Sequence, residues 1–183
     1  MVSTRFATIE DLEQMEPDAG DFELIRGELH RMAAAGGRAS TIAVGIAAQF
    51  WNYATPRGLG TVYGADAGFV LSRDPDTLLI PDVAFVRADR LPPGPVPEGF
   101  LPLAPDIAVE VVSPTDRRTD VARKVRLYLD AGVKLVWVVD PRRRLVTVYP
   151  VVGSERVLRP GEELDGGEVL PGFRLAVGDL FPA

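Results

Sequence analysis

Three short apolar runs decide what this chain can fold into: Leu78 to Val86, Asp106 to Ser113 and Lys134 to Val139. They are rich in Val, Ile and Leu, and scarcely alternate with polar residues. A strand apolar in this way has both faces buried and needs cover on both sides. Helical segments supply the cover. Arg38 to Tyr53 carries Ile42, Ile46, Phe50 and Tyr53 along one stripe, with Val44, Ala47 and Trp51 on other faces. A helix apolar nearly all round is buried on several sides or packs on another subunit. Asp116 to Ala131 presents Val121, Val125, Tyr128 and Leu129 inward and stops at Gly132. From Arg38 the order is helix, strand, strand, strand, helix, strand. That order predicts an α/β fold, a mixed sheet flanked by helices, with extra strands at the N- and C-terminal ends.

The remaining segments fit around this core. Thr8 is an N-cap candidate for a short helix ended by Pro17. Phe22–Arg26 and Glu28–Met32 flank Gly27 and read as two strands or a bent hairpin. Thr61–Tyr63 and Gly68–Ser72 are short strands. Leu91 to Pro105 is a Pro- and Gly-rich surface loop, and Leu145–Tyr149 pairs back on the third apolar run as a hairpin. The tail adds short strands and an acidic cluster at Glu162, Glu163, Asp165 and Glu168. Residues 1–183 are expected to form a single domain with its core at about 20–150.

Several function classes drop out at once. The chain has no cysteine, so disulfides, thiolate metal sites and cysteine nucleophiles are excluded. His30 is its one histidine, too few for a multi-histidine zinc site. No signal pattern opens the chain, and Ala39–Ala54 is too short and too interrupted to span a membrane, so a cytoplasmic protein with no membrane partner is expected. The net charge of −6 is unevenly spread. Arg117 to Arg144 holds nine basic residues against three acids, a surplus of six positive charges, which leaves the rest of the chain at −12. The basic stretch is either a solvated helix face or a local phosphate-facing patch.

Candidate chemistry lies in the apolar runs. Asp82 and Glu110 are acids inside them, and a buried carboxylate is expensive unless a cation or donor meets it. Asp82 could cap a strand start, and Glu110 could pair with an arginine. Lys124 borders the inward stripe of its helix, three residues from Val121 and four from Tyr128. It could snorkel to water, or its ammonium could reach the end of the Glu110 strand. Together, two hard carboxylates and a lysine suit a Mg²⁺ or Mn²⁺ site acting on a phosphate ester. A Ser113–Lys124 dyad is set aside, because Ser113-Pro114-Thr115 reads as a turn that starts a helix.

The order of these motifs resembles one family. Phe22-Glu23-Leu24-Ile25-Arg26-Gly27-Glu28-Leu29, Pro81-Asp82-Val83-Ala84-Phe85-Val86 and Val109-Glu110-Val111-Val112-Ser113-Pro114-Thr115 come first. Asp120…Lys124…Tyr128…Ala131-Gly132-Val133 and Val136-Trp137-Val138-Val139-Asp140-Pro141 follow. Together they are similar to the Uma2 family, within the PD-(D/E)XK nuclease superfamily, over about Thr8 to Pro150. The resemblance implies a restriction-endonuclease-like α-β-β-β-α-β core and a Mg²⁺-dependent endonuclease acting on nucleic acid, most naturally DNA. It implies Asp82 and Glu110 as metal-binding acids, Lys124 as the catalytic lysine and Glu28 as a further acid. The superfamily lysine normally stands two residues after the second acid, where this chain has Val112. Where many relatives carry a histidine near the start of the helix after the opening hairpin, this chain has Arg38. The rival expectation is a catalytically silent, oligomeric scaffold that keeps the fold, and a homodimer is expected on the apolar helix around Trp51.

Overall fold

The chain's first apolar run does not form one strand. In the computed structural model, which describes residues 6–15 and 20–181, the run divides at Ile80-Pro81-Asp82. β5 (Thr77–Leu79) lies before the break and β6 (Val83–Arg87) after it, in different sheets. Pro81 has no N–H to give a ladder, which makes this the point where the chain can leave one sheet for another.

The larger sheet has six strands. β3 (Gly60–Tyr63), β6, β7 (Ile107–Val111), β8 (Leu135–Asp140), β9 (Leu145–Pro150) and β10 (Arg156–Leu158) lie in the spatial order β10-β9-β8-β7-β6-β3. The β7–β8 pair is parallel and the other pairs are antiparallel. A parallel pair needs a crossover, and α3 (Arg118–Asp130) provides it. The smaller sheet joins β1 (Phe22–Ile25), β2 (Glu28–Arg31), β4 (Phe69–Ser72) and β5 in the order β2-β1-β5-β4. The α-β-β-β-α-β core is realised by α2 (Gly37–Ala54), β3, β6, β7, α3 and β8, with the β4–β5 hairpin inserted into the other sheet.

Side-chain alternation sorts the two faces of the larger sheet. Val83, Phe85, Ile107, Val109, Trp137 and Val139 pack on one face beneath Ala39, Ile42, Ile46 and Phe50 of α2. The tail joins them. β11 (Glu163–Gly166) and β12 (Leu170–Ala176) form a hairpin that adds Leu164, Leu170, Phe173 and Leu175, and Phe181 follows. The core therefore extends past the expected limit near residue 150. Ala108, Val136 and Val138 face the other way, toward Val125 and Tyr128 of α3 and toward Ile25 and Leu79 of the smaller sheet. That second face, where helix and small sheet meet side by side, holds the polar groups considered next.

Local details follow the sequence. Thr8 caps α1 (Ile9–Glu13) in a capping box with Asp11; Pro17, expected to end that helix, lies outside the described residues. α2 buries one stripe, leaving Val44 66 % and Trp51 55 % exposed. No helix among the described residues is long and apolar enough to cross a membrane.

Candidate active site

Four polar or charged residues are buried among the described ones: Glu23, Thr77, Asp106 and Glu110. Asp106 shows the structural solution to a buried carboxylate. Its Oδ1 meets Arg90 Nη1 at 2.9 Å, and its Oδ2 accepts from the Arg87 N–H at 2.9 Å. Glu110 is solved differently. Lys124 Nζ donates to both its oxygens, at 3.0 and 3.2 Å, and the Tyr128 hydroxyl donates to Oε1 at 2.8 Å. The same ammonium lies 2.8 Å from Glu23 Oε1, which also accepts from the Ile80 N–H at 3.0 Å.

Each element brings its group for a local reason. Glu110 alternates with Val109 and Val111, so it points away from the α2 face and toward α3. The antiparallel register Val83↔Val109, continued by one residue, sets Asp82 opposite Glu110. Asp82 Oδ2 accepts from the Val111 N–H at 2.6 Å. Lys124 lies one turn from Val121 and from Tyr128 on α3, which aims it along the inward stripe. Glu23 lies on β1 beside Leu24, whose partner across the sheet is Leu78, two residues before the Ile80 crossover.

These groups line a cavity of about 340 Å³. Three carboxylates, those of Glu23, Asp82 and Glu110, share one ammonium, so with all groups ionised two negative charges remain. The strain shows in the acidities. Burial, and next the Glu110 charge, push the Asp82 carboxyl up to about 6. Burial likewise raises Glu110, against the pull of Lys124. Burial alone would lower Lys124, but Glu110 and Glu23 outweigh it and hold the ammonium above its ordinary value. Burial and the nearby carboxylates keep Tyr128 a neutral donor. The cavity rim is mixed: Arg31, Arg117 and Arg123 stand around it with Asp116 and Asp120, and Asp120 lies 3.6 Å from Arg123.

Of the four expected site residues, Asp82, Glu110 and Lys124 converge. Glu28 does not. Its side chain is 71 % exposed and stands 3.9 Å from His30 Nε2, paired across the hairpin with Ile25. Glu23, not Glu28, is the acid of this hairpin that meets Lys124. The motif resemblance pointed to the acid after the turn, whereas the packing selects the one before it. Glu23 sits between Phe22 and Leu24 just as Glu110 sits between Val109 and Val111, and that same signal could have found it. Tyr128 was legible as an inward residue but not as the hydroxyl that holds Glu110. Val112 lines a neighbouring cavity, and the lysine that meets Glu110 comes from α3.

The profile of the Uma2 family, described as "putative restriction endonuclease", matches residues 9–178. The chain belongs to the Uma2 family. Its fold is shared with the crystal structure of a "putative nuclease belonging to DUF820" from Anabaena variabilis. The two chains are 20 % identical, with a TM-score of 0.82 over 95 % of this chain and 97 % of that one. No curated protein matches the sequence significantly. The Uma2 match extends into the tail, beyond Pro150, in keeping with the tail's place in the core.

Proposed function

We propose that this Uma2 protein is a Mg²⁺-dependent endonuclease, a cytoplasmic enzyme that hydrolyses phosphodiester bonds of DNA. The observation that supports it is the meeting of Glu23, Asp82, Glu110 and Lys124 in one cavity, with two negative charges left over. The donor set fits a small hard cation. Asp82 and Glu110 offer carboxylate oxygens, and the pKa of Asp82, raised first by burial and then by the Glu110 charge, marks a carboxylate that a cation would stabilise. Among the described residues no three acids or histidines are arranged to hold a metal by themselves. Two protein carboxylates with waters and a substrate oxygen are the usual set for Mg²⁺.

When bound, the ion would supply a water of lowered pKa and polarise the phosphate. The chain's own residues do the rest. Lys124 is a fixed cation at the edge of the cavity, placed to orient the attacking water or to meet developing negative charge. Glu23 and Glu110 hold its Nζ from two sides, and Tyr128 fixes the Glu110 rotamer by its hydroxyl. The rim arginines Arg31 and Arg117 suit the phosphates on either side.

The test pairs binding with turnover. Titration calorimetry with Mg²⁺ or Mn²⁺ should give a heat of binding in the wild type that Asp82→Ala loses. Cleavage of plasmid or single-stranded DNA should need the metal, and should fall at least a hundredfold in Asp82→Ala and Lys124→Ala. Equal binding by wild type and variant, or no cleavage with any divalent ion, would leave the silent scaffold as the better reading. For the quaternary state we propose a homodimer through the outer face of α2, where Val44 and Trp51 lie two turns apart on the exposed side.

A further inference from the structure

A second cavity, of about 520 Å³, lies on the same face of the larger sheet as Glu110. The two are neighbours. Glu110 pairs with Val138 across β7 and β8, and Val138 pairs with Thr147 across β8 and β9. Residues directly opposite share a face, so Glu110, Val138 and Thr147 form one row. Neighbouring strands are about 4.8 Å apart, so the floor of the second cavity begins one strand from the candidate active site. Ser113, Asp116 and Val121 border both cavities.

The chemistry of its walls differs from that of the first. The floor is apolar, with Val112, Val138 and Leu145, and the half-buried Tyr149 adds a ring. Arg118 and Arg142 stand on the wall, and among the described residues neither guanidinium has an acceptor. Their neighbours are already engaged: the two carboxylates on the lining, Asp116 and Asp140, accept from the N–H groups of Ser113 and of Arg142 and Arg143. Arg143 lies 3.7 Å from Asp140, and Arg144 turns to the opposite side, onto the Phe181 ring and carbonyl. An apolar slot with an aromatic ring and two unpaired guanidiniums is complementary to one ligand class, a base carrying a phosphate. The volume falls within the roughly 300–1,000 Å³ range of small-molecule sites.

We infer that this cavity is the subsite for an unpaired nucleotide flanking the scissile phosphate, and therefore that the substrate is single-stranded or locally opened at the cut. The inference rests on the nuclease reading of the neighbouring site. A base stacked inside a duplex cannot enter such a slot, whereas a single strand, flap or frayed end can. Asp82 and Glu110 then face the phosphate to be cut, while the next base lies on Val138 and Leu145 with its phosphate on Arg118 and Arg142.

The test is a methyl NMR titration of the full chain with deoxythymidine 5′-monophosphate, and with inorganic phosphate as comparison. The nucleotide should shift the methyls of Val112, Val138 and Leu145 and bind at least tenfold more tightly than phosphate. The variant Arg118→Ala/Arg142→Ala alters two exposed side chains without partners, so it should fold normally and weaken nucleotide binding tenfold or more. In cleavage assays, single-stranded or flapped oligonucleotides should be cut at least tenfold faster than intact duplex. Methyls unmoved by the nucleotide, equal binding of phosphate and nucleotide, or faster cutting of duplex would each overturn the subsite. Oligonucleotide cleavage with unmoved methyls removes the subsite and leaves the nuclease standing. Nucleotide binding in this cavity with no cleavage under any metal removes the nuclease and leaves a nucleotide site.

Discussion

Asp82 is held in a state that costs the protein stability. Its carboxyl is raised from about 3.8 to about 6 by burial and by Glu110. The unfolded chain gives up this proton near pH 4, but the folded chain keeps it until about pH 6. Stability from this group is therefore fully present below pH 4 and lost as pH rises to 6. The loss is on the order of 3 kcal/mol at neutral pH, because each tenfold change in proton affinity is worth about 1.4 kcal/mol. Asp82→Asn keeps an oxygen for the Val111 N–H and carries no charge. In the metal-free protein it should raise the melting temperature at pH 7 by several degrees and change it little at pH 4. Thermal denaturation at the two pH values checks this, and a variant no more stable than wild type at pH 7 would refute it. The group that destabilises the fold at neutral pH is the one a nearby cation would relieve.

At the scale of elements, the site depends on the break at Ile80-Pro81-Asp82 and on the sheet edges beside it. Ile80 donates to Glu23 in the small sheet, and Asp82 accepts from Val111 in the large one, so three residues tie the two sheets together. β3 holds the far side of β6 in register. Gly60 starts β3, and a side chain there would run into the Val86 carbonyl and the Phe85 ring. Gly60→Ala should separate β3 from β6 and cost roughly 2 kcal/mol or more, readable as a lower urea midpoint. An unchanged midpoint would show that the edge strand can give way freely. α3 contributes differently. Its apolar stripe buries Val125 and Tyr128 against the sheet, and the same packing fixes the rotation that brings Lys124 to Glu110.

Over the whole molecule, charge and exposure divide the surface into working regions. The basic stretch from Arg117 to Arg144 borders both cavities, where it faces the acids Glu23, Asp82, Glu110 and Asp116. The far side of α2 carries the exposed Val44 and Trp51. If that face joins two copies, Trp51→Glu should halve the mass found by light scattering while leaving the melting curve cooperative. A wild type already monomeric, or a variant of unchanged mass, would rule out this interface. The candidate site and the proposed interface occupy opposite faces of the larger sheet, so losing the dimer need not disturb Asp82 and Glu110.

Periodicity and composition by themselves determined the layered α/β arrangement, the helices at Gly37–Ala54 and Arg118–Asp130, and the isolation of Glu110 among Val residues. Those are properties of neighbouring residues, since local hydrophobic period reports which face is buried. They also made Asp82 and Lys124 worth pairing with Glu110. Only the tertiary structure decided that Leu78–Val86 serves two sheets, that Glu23 and not Glu28 meets Lys124, and that the tail completes the core around Trp137. Each of these depends on which distant surface a segment meets. A one-residue pattern along a strand cannot tell a carboxylate that finds a lysine from one that finds water, because the difference lies in the partner and not in the strand.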